Sequence, residues 1–242
     1  MATKPLVYIL HGWAVDKTNQ QKWQPFISAL ARRGVTAKFL PIPGLSTDLS
    51  EVWNLQDFVD WFKKQLEKDG VRAEANVLGH SFGGQMAIRA AAQSPQLFSK
   101  IVLIDSSGIR DHSLSAKSKR ALFLILAKIG RILMPFSFAR QLLHKLARER
   151  DYLNAPPVMR RAMSLVVNDE VRQDLPKITC PTLIIWGEND KVTPLKNGRL
   201  KRQQIKNSQL EIISEARHSP QFTHTEQTAD LVANFLLKGE HD

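Results

Sequence analysis

The sequence predicts an α/β protein: a mostly parallel, doubly wound sheet interrupted by one all-helical insertion. Short continuous apolar runs alternate with amphipathic helical stretches over residues 6–109 and again over 177–242. That alternation is the pattern of parallel strands covered on both faces. From about Leu114 to Asp174 there is no strand candidate, only helical periodicity with breaks at Pro135 and Pro156-Pro157. The expected division is a core of 1–109 and 177–242 carrying an insertion of 110–176.

Leu6 to Leu10 is continuous and apolar, which suits a buried strand. A helix is expected from about Gln20 to Arg33, because Trp23, Phe26, Ile27, Leu30 and Ala31 recur on one face, and Gly34 ends it. Val35 to Leu40 reads as the next strand, closed by Pro41-Ile42-Pro43-Gly44. Asn54 can cap a second helix whose buried stripe is Leu55, Phe58, Val59, Phe62 and Leu66. Ala75 to Leu78 and Ile101 to Ile104 are strands on either side of an alanine-rich helix. Beyond the insertion, Pro176 to Thr179 is the return linker and Thr182 to Trp186 a strand. A helix near Pro194 to Ile205, a strand at Leu210 to Ile213 and a closing helix with Leu231, Val232, Phe235 and Leu236 complete the core.

The chain is organised around Gly79-His80-Ser81-Phe82-Gly83, set between the strand ending at Leu78 and the helix starting at Phe82. A strand that reverses into a helix within two residues strains the residue at its apex and leaves no room for side chains two positions either side. Gly79 and Gly83 meet that need, and Gly84, Ala87, Ala90 and Ala91 let the helix lie close to the sheet. Ser81 is thereby held clear of the fold at the positive end of a helix, where developing negative charge is favoured.

The 242 residues carry a net charge of +11, and ten Lys or Arg against two acids lie between Arg110 and Arg150. No aromatic-interleaved motif of an RNA-binding module accompanies them, so no nucleic-acid partner is expected. A basic outer face on the insertion is the plain reading. Attraction of an anionic substrate, or weak contact with a membrane surface, is the alternative. Leu122 to Ile129, apolar and ringed by Lys119, Arg120, Lys128 and Arg131, suits a lid over an apolar cavity or an interfacial helix. No stretch approaches the roughly 18 to 20 apolar residues of a membrane span. Leu6 to Leu10 is too short for a signal peptide, and the single Cys180 allows no internal disulfide, so a cytoplasmic protein is expected. Histidines lack ligand spacing, and no metal or other cofactor is expected.

A serine hydroxyl becomes a nucleophile only when an oriented base removes its proton. In chain order the candidates are Ser81, Asp190 and His218, the last two just past the strands at 182–186 and 210–213. Asp105, at the end of its strand, is the alternative acid. His11 and His80 suit loop bracing, while His112, His144 and His241 suit the surface or the insertion.

These segments resemble the α/β-hydrolase family. The resemblance rests on His11-Gly12-Trp13, Pro43-Gly44, Gly79-His80-Ser81-Phe82-Gly83-Gly84, Cys180 to Gly187 with Asp190, and Arg217-His218-Ser219-Pro220. It implies Ser81 as nucleophile, His218 as general base and then acid, and Asp190 as orienting acid. It places the oxyanion hole on the backbone N–H groups of Trp13 and Phe82, makes the insertion a mobile cap, and has the chain open on the family's third strand. Leu45-Ser46-Thr47-Asp48 departs from the family's small turn residue and Gly-x-Ser. His224 stands where proline is usual, with the closing helix expected to stay intact. The function so implied is serine-dependent cleavage of a carboxylic ester or thioester of a small to medium apolar acyl group. The alternatives are carbon–carbon bond or lipid-directed hydrolysis on the same triad, or a small-ligand receptor with vestigial catalysis.

Overall fold

A computed structural model describes residues 4–110 and 155–238. Its centre is a six-stranded sheet of β1 (Leu6–Leu10), β2 (Thr36–Leu40), β3 (Ala75–His80), β4 (Phe98–Ile104), β5 (Thr182–Gly187) and β6 (Ser208–Ile213). The spatial order is β2-β1-β3-β4-β5-β6, and every neighbouring pair is parallel. Around it lie α1 (Asn19–Arg32), α2 (Leu55–Lys68), α3 (Phe82–Gln93), α4 (Pro157–Asn168), α5 (Leu195–Gln204), α6 (Pro220–Thr223) and α7 (Thr225–Leu237).

Strand period explains why the sheet is buried twice over. Tyr8, Leu10, Ile101, Leu103, Ile184 and Trp186 join one apolar cluster with α2 and α3. Their sequence neighbours Val7, Ile9, Val102, Ile104, Leu183 and Ile185 join a second one with α1 and α7. Successive side chains point to opposite faces, so stretches such as Leu6–Leu10, Ile101–Ile104 and Leu183–Trp186 are apolar throughout, while the edge strands β2 and β6 keep polar, exposed positions. On α2 the expected stripe of Leu55, Phe58, Val59, Phe62 and Leu66 is buried. Asn54 closes a full capping box with Asp57, a device that stabilises a helix start by about 1 kcal/mol. In α1 Ala29 is buried and Ala31 exposed, so the inner face is Trp23, Phe26, Ala29 and Leu30.

The closing helix stays intact as expected: α7 runs unbroken from Thr225 to Leu237 and carries Leu231, Val232, Phe235 and Leu236, with Thr228 N donating to His224 O at 2.9 Å. His224 stands just ahead of it and closes the short α6 turn, its N–H donating to Pro220 O at 2.7 Å. Of the insertion, α4 and a 3₁₀ turn over Arg172–Lys177 are described. The apolar run at Leu122 to Ile129, Pro135, His112, His144 and His241 lie outside the described residues. Among the described residues no helix is long and apolar enough to cross a membrane.

The segment ahead of β5 is fastened to α3. Gln85 Nε2 donates to Val166 O at 3.0 Å and to Asp169 O at 2.6 Å, and its Oε1 accepts from Ser107 Oγ. One turn on, Arg89 pairs with Asp174 at 2.6 Å and Asp169 at 2.8 Å. The helix that follows Ser81 thus also carries the segment leading into β5.

Candidate active site

Ser81 sits at the strand-to-helix apex with φ 51° and ψ −113°, a backbone conformation serine rarely takes. Its own N–H remains on the sheet, donating to Ile104 O at 3.0 Å, and its carbonyl accepts from Ser107, Gly84 and Gln85. The elbow leaves no space for side chains. A Cβ on Gly79 would lie 2.6 Å from Gly83 O, and one on Gly83 would collide with the carbonyl of Leu10. Gly84 N and Gln85 N turn back to Ser81 O, so the N–H groups of Phe82 and Gly83 are the orphan donors of the helix start. The loop after β1 comes in from the other side: a Cβ on Gly12 would meet His80 Nδ1 at 2.8 Å and Ser81 Cβ at 3.2 Å. The Trp13 backbone therefore begins beside the elbow.

Asp190 and His218 are brought together. His218 Nδ1 lies 2.8 Å from Asp190 Oδ2. A carboxylate only accepts, so Nδ1 carries the proton and Nε2 is left with its lone pair. Asp190 also receives Val192 N–H at 2.7 Å, Thr193 N–H at 3.0 Å and the Thr193 hydroxyl at 2.7 Å. Burial works against its charge, but the bonds from His218 and Thr193 outweigh it and hold the carboxyl below the usual range. Among the described residues Ser81 Oγ makes no hydrogen bond. Its neighbour His80 lies beside His218: the two rings are 5.1 Å apart, and His80 Nε2 lies 3.1 Å from Ser219 Oγ.

His11 and His80 tie loops together. His11 Nδ1 donates to Gly12 O at 2.8 Å, while Nε2 accepts from Ser46 Oγ at 2.9 Å, so the departure at Leu45-Ser46 finds its partner in the His-Gly segment. Burial pushes the His11 imidazole down to about 4 and keeps it neutral. His80 is likewise lowered by burial, then by His218 and His11. Glu188 is exposed and accepts from Ser214 and Glu215.

Apolar side chains flank the elbow. Phe82 packs edge-on against Trp13 at 5.0 Å and Phe58 at 5.1 Å, and Phe58 against Trp53 at 5.2 Å. A separate cavity of about 290 Å³ lies between the loops after β1 and β2, walled by Val15, Gly44, Leu45, Leu49 and Met159. None of Ser81, Asp190 and His218 lines it. One polar atom each of His80, Asp105 and His218 falls within 4.8 Å of the others. Both carboxylate oxygens of Asp105 are already held by N–H donors, which makes the trio a hydrogen-bonded brace rather than an open ligand set.

Sequence reasoning passed over three groups here. Thr193 stands three residues after Asp190, the spacing of a side-chain turn, and that signal was readable. Gln85 gave none. Lys201 is fully buried, donating from Nζ to Ser106 O at 2.9 Å and lying 5.2 Å from the Trp186 ring, which packs against Gly198. Burial pulls its ammonium down to about 7. Cys180 is buried, which pushes its thiol up to about 11.

Residues 7–231 match the model of the alpha/beta hydrolase family. The chain is 25% identical to a pimeloyl-[acyl-carrier protein] methyl ester esterase of Neisseria meningitidis serogroup B, over 96% of this chain and 93% of that protein. It is 22% identical to a 2-hydroxy-6-oxononadienedioate/2-hydroxy-6-oxononatrienedioate hydrolase of a Pseudomonas species, over 96% and 88%. Among solved structures, an alpha/beta hydrolase enzyme from a Medee basin deep-sea metagenome superposes with a TM-score of 0.73 at 21% identity, covering 100% of this chain and 92% of that one.

Proposed function

The chain belongs to the alpha/beta hydrolase family, and on that premise we propose that it is a serine hydrolase. In this reading it cleaves a carboxylic ester or thioester of a small to medium apolar acyl group through an acyl-enzyme. The observation that carries the proposal is the 2.8 Å bond between His218 Nδ1 and Asp190 Oδ2, because it leaves Nε2 as the basic nitrogen on the ring that faces His80, next to Ser81. Ser81 Oγ attacks the carbonyl carbon as His218 Nε2 takes its proton. The oxyanion is held by the N–H groups of Phe82 and Trp13, each such donor being worth on the order of 3 kcal/mol in the barrier. His218 returns the proton to the departing alcohol or thiol, and water then repeats the sequence on the acyl-enzyme. The aromatic group of Trp13, Phe58 and Phe82 supports an apolar acyl side. Residues 110–176 act as the cap over a core of 1–109 and 177–242.

A second reading, hydrolysis of a carbon–carbon bond beside a carbonyl, draws on the similarity to the Pseudomonas 2-hydroxy-6-oxononadienedioate hydrolase. The deciding experiment is a series of p-nitrophenyl esters of increasing acyl length. The wild-type chain turns over the short to medium members, and Ser81→Ala abolishes turnover with an unchanged circular dichroism spectrum. Turnover retained in that variant would overturn the assignment. Silence on all esters, with turnover of a vinylogous 1,5-diketone, would select the second reading.

A further inference from the structure

Asp105 is not one of the three groups assigned above, yet it holds both of the loops that carry the acid and the base. It follows β4 with φ 42° and is fully buried. Its Oδ1 accepts from Gly187 N at 2.9 Å and its Oδ2 from Ser219 N at 2.8 Å, while its main-chain oxygen lies 3.1 Å from the Thr193 hydroxyl, whose proton is shared with the nearer Asp190 Oδ2. Gly187 opens the loop that leads to Asp190, and Ser219 directly follows His218. Ser219 is itself left-handed, with φ 97°, a conformation that persists only where neighbours impose it. Here the Asp105 carboxylate takes its N–H, and His80 lies within hydrogen-bond distance of its hydroxyl.

Among the described residues no Lys or Arg pairs with this carboxylate, and a buried charge without a cation is costly. A neutral acceptor could serve a brace alone. What a charge adds is a field at His218, one of whose ring nitrogens lies within 4.8 Å of the carboxylate. We propose that Asp105 is a positioning residue of the hydrolase: its ionised carboxylate fixes the main chain beside His218 through Ser219 and favours the imidazolium formed when that base takes the serine proton. This inference rests on the function proposed above.

Ionisation matters because both oxygens are spent on N–H donors, and protonation weakens the acceptor that takes the proton and removes the field at His218. Burial raises Asp105 to about 6. Asp190 pushes in the same direction, while the Ser219 and Gly187 N–H groups and His218 oppose it. His80 also faces the group, and the Lys201 ammonium lies one residue along the chain, on Ser106 O.

Two measurements test the proposal. In the wild type, the acid limb of kcat/KM for a p-nitrophenyl ester should contain a protonation step near pH 6 that Asp105→Asn lacks; the same limb in both proteins would overturn the proposal. Asp105→Asn, which keeps size, removes the charge and turns one of the two accepting oxygens into an amide donor, should lower kcat by about 100-fold, leave KM within twofold, and remove that step. A variant that folds and keeps kcat within threefold of wild type would refute it. Labelling of Ser81 by a fluorophosphonate separates the two readings. If wild type is labelled and turns over while Asp105→Asn is unimpaired, only the positioning role fails. If Ser81→Ala retains turnover, the function itself has been misassigned.

Discussion

Thr193 holds Asp190 twice, its N–H donating to Oδ1 at 3.0 Å and its hydroxyl to Oδ2 at 2.7 Å. The second oxygen is the one that meets His218. The threonine hydroxyl therefore sets where the imidazole's partner stands, and it does so from a buried position in which Thr193 O also receives Trp186 Nε1 at 2.8 Å. Thr193→Val keeps the shape and removes the hydroxyl. Hydrogen bonds to charged groups contribute about 1.5 to 3 kcal/mol, so ester turnover should fall roughly 10- to 100-fold in kcat, with Thr193→Ser close to wild type. Steady-state kinetics on the three proteins check this.

Gly83→Ala should fail at the level of folding. The added methyl would stand against the Leu10 carbonyl, a backbone atom in the sheet that cannot rotate away. Overpacking of this kind costs about 1 to 3 kcal/mol. A backbone obstacle should put the variant at or beyond the upper end, measured as a fall in the urea midpoint or as loss of soluble protein. Gly70→Ala is the control for alanine alone, since its Cβ would meet nothing within 4 Å, and only its φ of 75° counts against it.

Lys201 makes stability depend on pH in a direction that can be worked out. Its folded value lies near 7, well below the ordinary lysine range. Between about pH 7 and 10 the unfolded chain then binds the extra proton, and the contribution of this residue to stability rises with pH. Below about pH 7 the full cost of a buried ammonium is present. Lys201→Met removes the titration and keeps the packing against Trp186. Relative to that variant, the wild type should gain up to a few kcal/mol as pH rises from 7 to 10, at most about 1.4 kcal/mol for each step of one in pH. Urea unfolding of both proteins at three pH values measures it; parallel lines would refute it.

How far the sequence could be read depended on whether a pattern is local. The central strands were visible because burial on both faces makes their runs apolar, and the second helix because Asn54 and its stripe lie within one segment. The turn at Ser81 was equally legible, since the glycines answer a steric demand set within five residues. Lys201 was not. Leu195 to Gln204 reads as a basic, solvated helix, and nothing in it says that Gly198 lets the helix settle on Trp186 and carry a lysine inside. The short turn over Pro220–Thr223 was out of reach for a related reason: its first carbonyl captures the His224 N–H, and a stripe of apolar positions is blind to one isolated turn. The dual grip of Asp105 joins residues 82 and 114 positions apart, a relation that exists only once the sheet is formed.

The protein's one thiol is sealed just ahead of β5, with its ionisation pushed to about 11. Thiolate is the reactive form, so at neutral pH this sulfur is silent toward maleimides and disulfide reagents. A cysteine placed by design on any outer helix would then be the sole reporter, ready for a fluorophore or spin label without first rebuilding the interior.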